Sequence, residues 1–253
     1  MIAHATIIGR SHRLMQQNCQ DFATSGPSAP GTTFGLVLDG CGSKYRDNNG
    51  THPSHNEVGA NLLGAYAAAF LNRNLAVSGQ PLAVSNQQFV EDVVSQLYQA
   101  CVTYLDCLVT LHPFQDENER RRFVATRLLC TMLGFVVTPE TAVCFWSGDG
   151  YLVINDEIVP LDSENHPDYP AYQLLHGERN GRFNMLTIRS RPELTRLAVT
   201  SDGWQSEQLQ QLDKPQKSLA LHRWMNVQSR QRGSFEDDGA IAIYAITNKT
   251  NDR

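Results

Sequence analysis

Strand-like and helix-like segments occur in separate blocks along this chain, and that order limits its fold more than any other feature. Short runs rich in β-branched and aromatic residues predict strands at 33–38, 131–138, 141–146, 151–154, 185–188, 194–200 and 240–246, with a first strand inside 1–9. Turn residues at 138–141 and 155–156 predict an antiparallel meander over 131–154. Because strands follow strands instead of alternating with helices, the order predicts an α+β fold with sheets in the middle and helices outside.

Two long amphipathic helices are predicted between the early and the central strands. The first opens with Ser54 and Glu57 at capping-box spacing, and its apolar stripe consists of Val58, Leu62, Tyr66 and Phe70. The second opens at Ser85, and its apolar stripe consists of Phe89, Val93, Leu97, Cys101, Leu105 and Leu108. Two more helices are predicted at 205–212 and 216–231, and the proline-containing segment 25–31 is predicted to be a loop.

The composition excludes several classes of protein. A chain of 253 residues with 41% hydrophobic and 19% charged residues is typical of a globular protein, and we expect one domain over residues 1–253. The net charge of -5, with no basic run longer than 120–122, argues against nucleic-acid binding. No uncharged stretch reaches the roughly 18 residues that a membrane helix needs. Six cysteines without a Cys-x-x-Cys pair favour a reducing, cytoplasmic location.

Asp-Gly pairs are the feature that points most directly to chemistry. Four occur, at Asp39, Asp149, Asp202 and Asp238, where chance placement would give about one. The first three follow predicted strands, and the fourth precedes the last strand, directly after Asp237. Because the end of one antiparallel strand lies beside the start of its neighbour, we expect these carboxylates to converge at one edge of a sheet.

Clustered carboxylates repel one another unless a cation neutralises them, so the convergence predicts a metal site. Oxygen ligands without a nearby His or Cys pair favour Mg²⁺ or Mn²⁺ over Zn²⁺. The competing interpretation is that each Asp-Gly pair is only a hairpin turn. One pair alone favours the turn, whereas four pairs at strand ends, together with Asp21 after a polar turn, favour the metal site.

The segments around these aspartates form an ordered set. It begins with Cys19, Gln20 and Asp21 and continues with Phe-Gly-Leu-Val-Leu-Asp-Gly-Cys-Gly at 34–42 and Asn-Glu-Val-Gly-Ala at 56–60. Gly-Asp-Gly at 148–150, Val-Thr-Ser-Asp-Gly-Trp at 199–204 and Asp-Asp-Gly-Ala at 237–240 follow. Together, over residues 12–246, these segments resemble the motifs of the metal-dependent serine/threonine protein phosphatases of type 2C, in a compact variant branch of that family.

The resemblance implies a fold and a reaction. The fold would be two antiparallel sheets stacked face to face and flanked by helices, a four-layer α/β/β/α sandwich. Two Mn²⁺ or Mg²⁺ ions would be bridged by Asp39, and Asp149 would help to form a third, weaker metal position. Water activated between two such ions could attack the phosphorus of phosphoserine or phosphothreonine without a protein nucleophile.

The resemblance also implies a role for each remaining metal-site residue. Asp202 and Asp237 would ligate the first ion, and the carbonyl of Gly40 would contribute to the second. Asp21 would hold water on the ions. Asp39, Asp202 and Asp237 are thereby the residues expected to support catalysis.

Two departures from the family's motifs bear on activity. The family's phosphate-binding arginine stands five residues before the early aspartate, whereas Arg13 stands eight residues before Asp21. His12 and Arg13 are therefore both candidates for binding the phosphate. Asp238 stands where the family usually has asparagine.

The metal-site aspartates are all present, so we expect an active phosphatase that acts on phosphorylated proteins. We also expect it to be a monomer. The alternative is a catalytically silent module of the same fold that binds phosphorylated partners, and the altered arginine spacing favours it. Ser201, beside Asp202, lacks the Gly-x-Ser-x-Gly surroundings of a hydrolase nucleophile, so we expect it to orient the end of its strand.

Overall fold

The computed structural model describes residues 1–42, 45–47, 50–76, 86–162, 168–177, 181–189, 191–212 and 217–246. Within these residues, most strands belong to two five-stranded antiparallel sheets. The first sheet contains, in spatial order, β1 (Ile2–Ile7), β12 (Gly239–Ala245), β11 (Arg196–Thr200), β8 (Gly150–Ile154) and β9 (Glu157–Leu161). The second contains β10 (Asn184–Ile188), β7 (Ala142–Ser147), β6 (Met132–Val137), β3 (Thr32–Asp39) and β2 (Asp21–Ala29). A small hairpin, β4 (Arg46–Asp47) and β5 (Gly50–Thr51), lies outside both sheets.

Helices cover the outer face of each sheet. The second sheet packs against α2 (Glu57–Leu75), α3 (Asn86–Thr110), α4 (Glu117–Arg127) and α5 (Tyr172–His176). The first sheet packs against α6 (Ser206–Gln210) and α7 (Ser218–Arg232), which are the two late helices predicted from the sequence. A short helix, α1 (Arg10–Met15), follows β1, and a 3-10 turn, Arg191–Glu193, precedes β11. The predicted α+β fold and four-layer α/β/β/α sandwich are therefore confirmed.

A separate apolar core joins the two sheets. Side chains from both inner faces are almost fully buried there, among them Val37, Phe135, Leu197, Val199 and Ala242. Strands β6 and β12 are buried at every residue, because central strands of stacked sheets are covered on both faces. Each fully buried Val, Leu or Phe side chain stabilises the fold by roughly 1.5–3 kcal/mol, so this core holds the strand ends of the two sheets in a fixed relation.

The meander predicted over residues 131–154 is wrong at one connection. β6 and β7 pair in the second sheet, whereas β8 and β9 pair in the first. Between β7 and β8 the chain crosses from one sheet to the other at Gly148, Asp149 and Gly150. Gly148 and Gly150 have φ angles of 108° and 141°, which residues with a Cβ rarely adopt, so the two glycines permit the crossing. The crossing places Asp149 where both sheets end.

Residues 25–31, predicted to be a loop, belong mostly to β2. Pro27 cannot donate a backbone hydrogen bond, but β2 is an edge strand of the second sheet, where one side of the backbone is unpaired and proline is tolerated. The pairing with β3 shifts register between Pro27 and Ala29. At its other end, β2 places Asp21 directly opposite Asp39 of β3.

The buried face of α2 differs from the predicted stripe by about one residue. Val58 and Leu62 are 43% and 40% exposed, whereas Leu63 and Gly64 are buried. The ring of Phe22 in β2 lies only 2.3 Å from where a Cβ on Gly64 would be, so the helix approaches the sheet through a face of small residues. The contact with the sheet therefore decides which side of the helix is buried.

In α3 the predicted stripe is confirmed, and its central members Val93, Leu97, Cys101 and Leu105 are buried. The predicted start of this helix, Ser85, lies outside the described residues. None of the helices in the described ranges is both long enough and apolar enough to cross a membrane.

Candidate metal centre

The strand-end aspartates line one cavity of about 200 Å³. The described residues that line it are His12, Gln20, Asp21, Asp39, Gly40, Cys41, Gly42, Asp149, Tyr169, Asp202, Asp237 and Asp238. Six of these described residues are aspartates, and none is lysine or arginine. The expected convergence occurs, but it joins the ends of two stacked sheets and not one sheet edge. A larger cavity, of about 590 Å³, lies beside the β4–β5 hairpin and has none of these six aspartates among its described lining residues.

Asp21 and Asp39 come from neighbouring strands of the second sheet. They face each other in register, as the first residue of β2 and the last of β3. Thr131, directly before the adjacent strand β6, fixes Asp39: its hydroxyl accepts from the Asp39 amide (3.1 Å), and its amide donates to the Asp39 carbonyl (2.8 Å). The amide of Gly40 donates to the carbonyl of Gln20 (3.1 Å), so backbone pairing continues one residue past the two carboxylates.

Asn56, which precedes α2, holds the loop that follows β3. Its side-chain amide donates to the Cys41 carbonyl (2.7 Å), and its side-chain oxygen accepts from the Leu129 amide (3.0 Å). The hydroxyl of Ser54 donates to the same Cys41 carbonyl (2.6 Å), so Ser54 is not the N-cap predicted for α2. The loop next to the metal-site residues is thus fixed by side chains as well as by the sheet.

Asp202 follows β11 of the first sheet and reaches the same cavity. Beside it, the hydroxyl of Ser201 donates to the carboxylate of Asp21 (2.6 Å) and accepts from the amide of Ala240 in β12 (2.9 Å). Because Asp21 belongs to the second sheet and Ala240 to the first, Ser201 ties the two sheets together. This agrees with the orienting role expected for Ser201.

The loop before β12 carries Asp237 and Asp238 and packs closely on the loop after β11. A Cβ on Gly203 would lie 1.7 Å from the carbonyl oxygen of Asp238, so this approach requires glycine. The side chain of Asp237 is 67% exposed at the rim of the cavity, whereas that of Asp238 is 3% exposed. Asp149, at the crossing between the sheets, lines the same cavity.

The carboxylate of Asp238 binds three donors and holds His12 at the cavity. It accepts from the amides of Gly9 (2.6 Å) and Gln20 (2.5 Å) and contacts Nδ1 of His12 at 2.8 Å. Nε2 of the imidazole lies 3.9 Å from Oδ1 of Asp237. The sequence makes His12 a candidate for binding the phosphate but does not indicate it as a partner of Asp238, because this contact joins residues 226 positions apart.

Of the two candidates for phosphate binding, His12 lines the cavity. The guanidinium of Arg13 instead donates to the carbonyl of Ile8 (2.7 Å) and to the hydroxyl of Ser229 (3.0 Å), which ties α1 to α7. Arg13 is not among the described residues that line the cavity.

Tyr169 is a cavity residue that the sequence pattern did not indicate. Its side chain is buried, its hydroxyl forms a hydrogen bond with the thiol of Cys41, and its ring packs edge-on against Tyr172 with centroids 5.0 Å apart. The hydroxyl of Ser147 donates to the carbonyl of Asp168 and fixes the start of this segment. The segment between β9 and β10 has neither periodicity nor a motif, so no local signal could have identified the tyrosine.

Burial and mutual repulsion raise the pKa values of three carboxyl groups in the cavity. Burial is the largest cause at Asp21, Asp39 and Asp202. The charges of Asp21 and Asp202, which lie close to it in the cavity, raise the pKa of Asp39 further. The charges of Asp149 and Asp237 likewise raise the pKa of Asp202.

These donors fit a hard divalent cation. Carboxylates crowded into one cavity are unfavourable without a compensating positive charge, and the described lining residues include no lysine or arginine that could supply it. Carboxylate and carbonyl oxygens are the ligands that Mg²⁺ and Mn²⁺ prefer. The cavity is therefore suited to bind divalent ions and, through them, an anionic group.

Comparison of the sequence with known families gives one assignment that spans most of the chain. The family profile described as Protein phosphatase 2C matches residues 8–236. No curated protein sequence matches the chain.

Solved structures similar to this one include several phosphatases. The serine/threonine phosphatase of S. agalactiae has a TM-score of 0.60 and 14% identity, covering 97% of this chain and 99% of its own. Stp1 from Staphylococcus aureus has a TM-score of 0.59 and 12% identity, covering 98% and 95%. The catalytic domain of the phosphatase PstP, in complex with two manganese ions, has a TM-score of 0.56 and 15% identity, covering 98% of each chain. At these identities the similarity establishes a common fold.

Proposed function

Because this chain belongs to the protein phosphatase 2C family, we propose that it hydrolyses phosphoserine and phosphothreonine in proteins, using water activated at a binuclear Mn²⁺ or Mg²⁺ centre. The observation that carries the proposal is the convergence of Asp21, Asp39 and Asp202 on one cavity with six aspartates among its described lining residues, where burial and mutual repulsion raise the pKa of all three. These are positions that the motif resemblance assigns to metal binding. The manganese ions in the PstP catalytic domain support the choice of metal.

The proposed metal-binding residues are Asp21, Asp39, Gly40, Asp149, Asp202 and Asp237. Asp39 would bridge two ions, since it lies opposite Asp21 and shares the cavity with Asp202 from the other sheet. Asp202 and Asp237 would be further ligands of the first ion, and the carbonyl of Gly40 would be a ligand of the second. Asp149 would contribute to a third, weaker metal position. Bound divalent ions supply activated water and neutralise the phosphoryl oxygens, so no protein nucleophile is needed. Asp21, oriented by Ser201, would accept hydrogen bonds from water in the cavity.

The phosphoryl group needs hydrogen-bond donors in a cavity lined mainly by carboxylates. We propose that Tyr169 supplies one, since its hydroxyl bonds to the thiol of Cys41, which is a weaker partner than an anionic phosphoryl oxygen. Arg13 is engaged with Ile8 and Ser229 and is not expected to contact the phosphate.

Turnover with and without metal tests the proposal. The purified chain is freed of metal with a chelator and assayed on a phosphothreonine peptide while Mn²⁺ or Mg²⁺ is titrated. Release of inorganic phosphate should appear with metal and vanish with excess chelator. Asp156→Asn, which changes a fully exposed aspartate in the turn between β8 and β9, is a matched control and should keep the wild-type rate. Turnover that persists in excess chelator would contradict the proposal.

The alternative is a catalytically silent module that binds phosphorylated partners. One observation favours it: the described lining residues offer no arginine or lysine to bind a phosphate. Calorimetric binding of the same phosphopeptide, with no release of phosphate at any metal concentration, would establish this alternative. Metal-dependent release would exclude it.

We further propose that the partner is a phosphorylated protein and that the enzyme works as a monomer in the cytoplasm. All six cysteines are free thiols, which supports a reducing compartment. We expect light scattering of the purified chain in solution to give the mass of a monomer.

A further inference from the structure

We infer that His12 is a nitrogen ligand, through Nε2, of the divalent ion that Asp237 binds. The inference rests on the metal centre of the proposed function and adds to it a residue that no motif assigns to metal binding. It replaces the phosphate contact expected of His12 from the sequence. Three features carry it: the hydrogen bond of Nδ1, the position of Nε2, and the anchoring of α1.

Asp238 determines which ring nitrogen of His12 carries hydrogen. Both oxygens of its buried carboxylate already accept hydrogen bonds, Oδ1 from the amide of Gly9 at 2.6 Å and Oδ2 from the amide of Gln20 at 2.5 Å. The 2.8 Å contact between Oδ2 and Nδ1 is therefore a hydrogen bond that Nδ1 donates. This leaves Nε2 as the ring nitrogen that can bind a metal ion. Metal-binding histidines almost always donate their other N–H to a carboxylate, a carbonyl or water in this way.

Nε2 of His12 faces the carboxylate of Asp237 at the rim of the cavity. The 3.9 Å between Nε2 and Oδ1 exceeds a hydrogen-bond length, so no hydrogen bond joins the two atoms. Ligand atoms about 2.1 Å from one octahedral ion lie about 3.0 Å apart at adjacent positions and about 4.2 Å apart at opposite ones, so the two atoms would move by less than about 1 Å on binding, which the exposed side chain of Asp237 allows. One ligand atom from each of His12, Asp237 and Asp238 lies within 4.8 Å of the other two. The pair formed by Nε2 and Asp237 is therefore suited to share a cation.

Backbone hydrogen bonds fix His12 relative to the loop before β12. The first amides of α1, those of Arg10 and Ser11, donate to the carbonyls of Phe235 (2.9 Å) and Glu236 (3.0 Å) in that loop. The hydroxyl of Ser11 also donates to the carbonyl of Glu236 (2.7 Å). Helix and loop thus form one hydrogen-bonded unit, which holds the imidazole near the rim carboxylate before any ion binds.

A nitrogen ligand changes which ion the centre prefers. Mn²⁺ shares the preference of Mg²⁺ for oxygen ligands, but Mg²⁺ dehydrates reluctantly and keeps its water, whereas Mn²⁺, as a transition-metal ion, accepts an imidazole nitrogen more readily. The centre should therefore bind Mn²⁺ more tightly than Mg²⁺. Substitution His12→Gln should lower Mn²⁺ affinity on the order of 10- to 100-fold, the loss seen when even the partner of a metal ligand is removed. Affinity for Mg²⁺ should fall much less, which calorimetric titration of both ions measures.

Electron spin-echo envelope modulation of bound Mn²⁺ tests the ligand directly. The full chain, without a histidine tag, is freed of metal and loaded with Mn²⁺, and modulation from directly bound ¹⁴N is recorded. The wild type should show nitrogen coupling, and His12→Gln should lose it. In wild-type protein labelled with ¹⁵N-histidine, the coupling should change to that of ¹⁵N, a result that depends on no substitution.

His52→Gln is the matched control. His52 also contacts a carboxylate, that of Asp47 at 2.7 Å, but it is not among the described residues that line the cavity, so the variant should keep the nitrogen coupling. Absence of nitrogen coupling in the Mn²⁺-loaded wild type overturns the inference, and so does equal coupling in wild type and His12→Gln. If that same protein still releases phosphate with Mn²⁺, the proposed function stands although the inference has failed. If the nitrogen coupling depends on His12 but no phosphate is released, the inference stands although the proposed function has failed.

Discussion

Replacing Asp39 by asparagine should stabilise the metal-free protein while abolishing turnover. Asp39 lines the cavity together with Asp21 and Asp202, and burial together with their charges raises its pKa. Raising a pKa by one corresponds to about 1.4 kcal/mol, and 1 kcal/mol changes the Tm of a chain of this size by about 2–4 °C. The amide removes one charge and can still donate to either neighbour. We therefore expect the Tm without metal to rise at neutral pH, by about 3–6 °C for each 1.4 kcal/mol of repulsion and burial cost that the substitution relieves.

The same variant should lose the stabilisation that metal provides. An ion present at about 100 times its Kd stabilises the native state by about 2.7 kcal/mol, which corresponds to a rise in Tm of about 5–11 °C. Differential scanning calorimetry with Mn²⁺ should show this rise in wild type and in the control Asp156→Asn, but little of it in Asp39→Asn. Equal shifts in wild type and Asp39→Asn, or no shift in either, would refute the clustered-carboxylate site.

The pKa directions also set the sign of the pH dependence of this effect. Because the pKa values of Asp21, Asp39 and Asp202 are raised in the folded state, the folded protein binds these protons more tightly than the unfolded chain. Their contribution to stability is present below the ordinary carboxyl pKa and is lost as the pH rises through the raised values. As the pH rises from the ordinary carboxyl pKa of about 4 through the raised values, the metal-free wild type should therefore lose Tm more steeply than Asp39→Asn. Parallel curves of Tm against pH for the two proteins would contradict the assigned repulsion between Asp39 and its neighbours.

Two further substitutions separate the cavity from its surroundings. Tyr169→Phe should raise KM for a phosphopeptide about 10- to 100-fold, the effect of losing a charge-assisted hydrogen bond of about 1.5–3 kcal/mol, whereas Tyr172→Phe should keep wild-type kinetics. Unchanged KM in both variants would remove Tyr169 from substrate binding. Arg13→Ala should leave KM unchanged and lower the Tm by a few degrees, because its guanidinium bonds to Ile8 and Ser229. A raised KM in Arg13→Ala would instead indicate that Arg13 binds the phosphate.

Local sequence patterns predicted most strands and helices, because hydrophobic periodicity reflects which face of an element is buried. For α3 this was sufficient. For α2 it was not, since the buried face depends on the fit of Phe22 against Gly64, and Phe22 belongs to another element. The strand at residues 25–29 was missed for a related reason. Pro27 indicates a loop when the sequence is considered alone, and only the assembled sheet shows that β2 is an edge strand, where proline is tolerated.

The aspartates of the cavity could be predicted because each stands beside a strand end and within a motif that keeps its order along the chain. Their arrangement across two sheets could not, since it depends on the crossing at Gly148 and Gly150. The contact of His12 with Asp238 joins distant parts of the chain and follows from the docking of α1, for which no local pattern exists. Tyr169 could not be predicted either, because it lies in a segment without a local pattern.

The hydrogen bond from Ser201 to Asp21 has a consequence for how the protein folds. It joins residues 180 positions apart and connects one sheet to the other, and the aspartates of the cavity are divided between those sheets. Neither sheet can assemble the cavity alone, so an ion would bind there only after the sheets have docked. Since loop closure over such a separation is entropically costly, docking is expected to be a late event in folding. Once bound, the ion would act as a reversible cross-link, and its release would allow the two sheets to separate locally at this end without global unfolding.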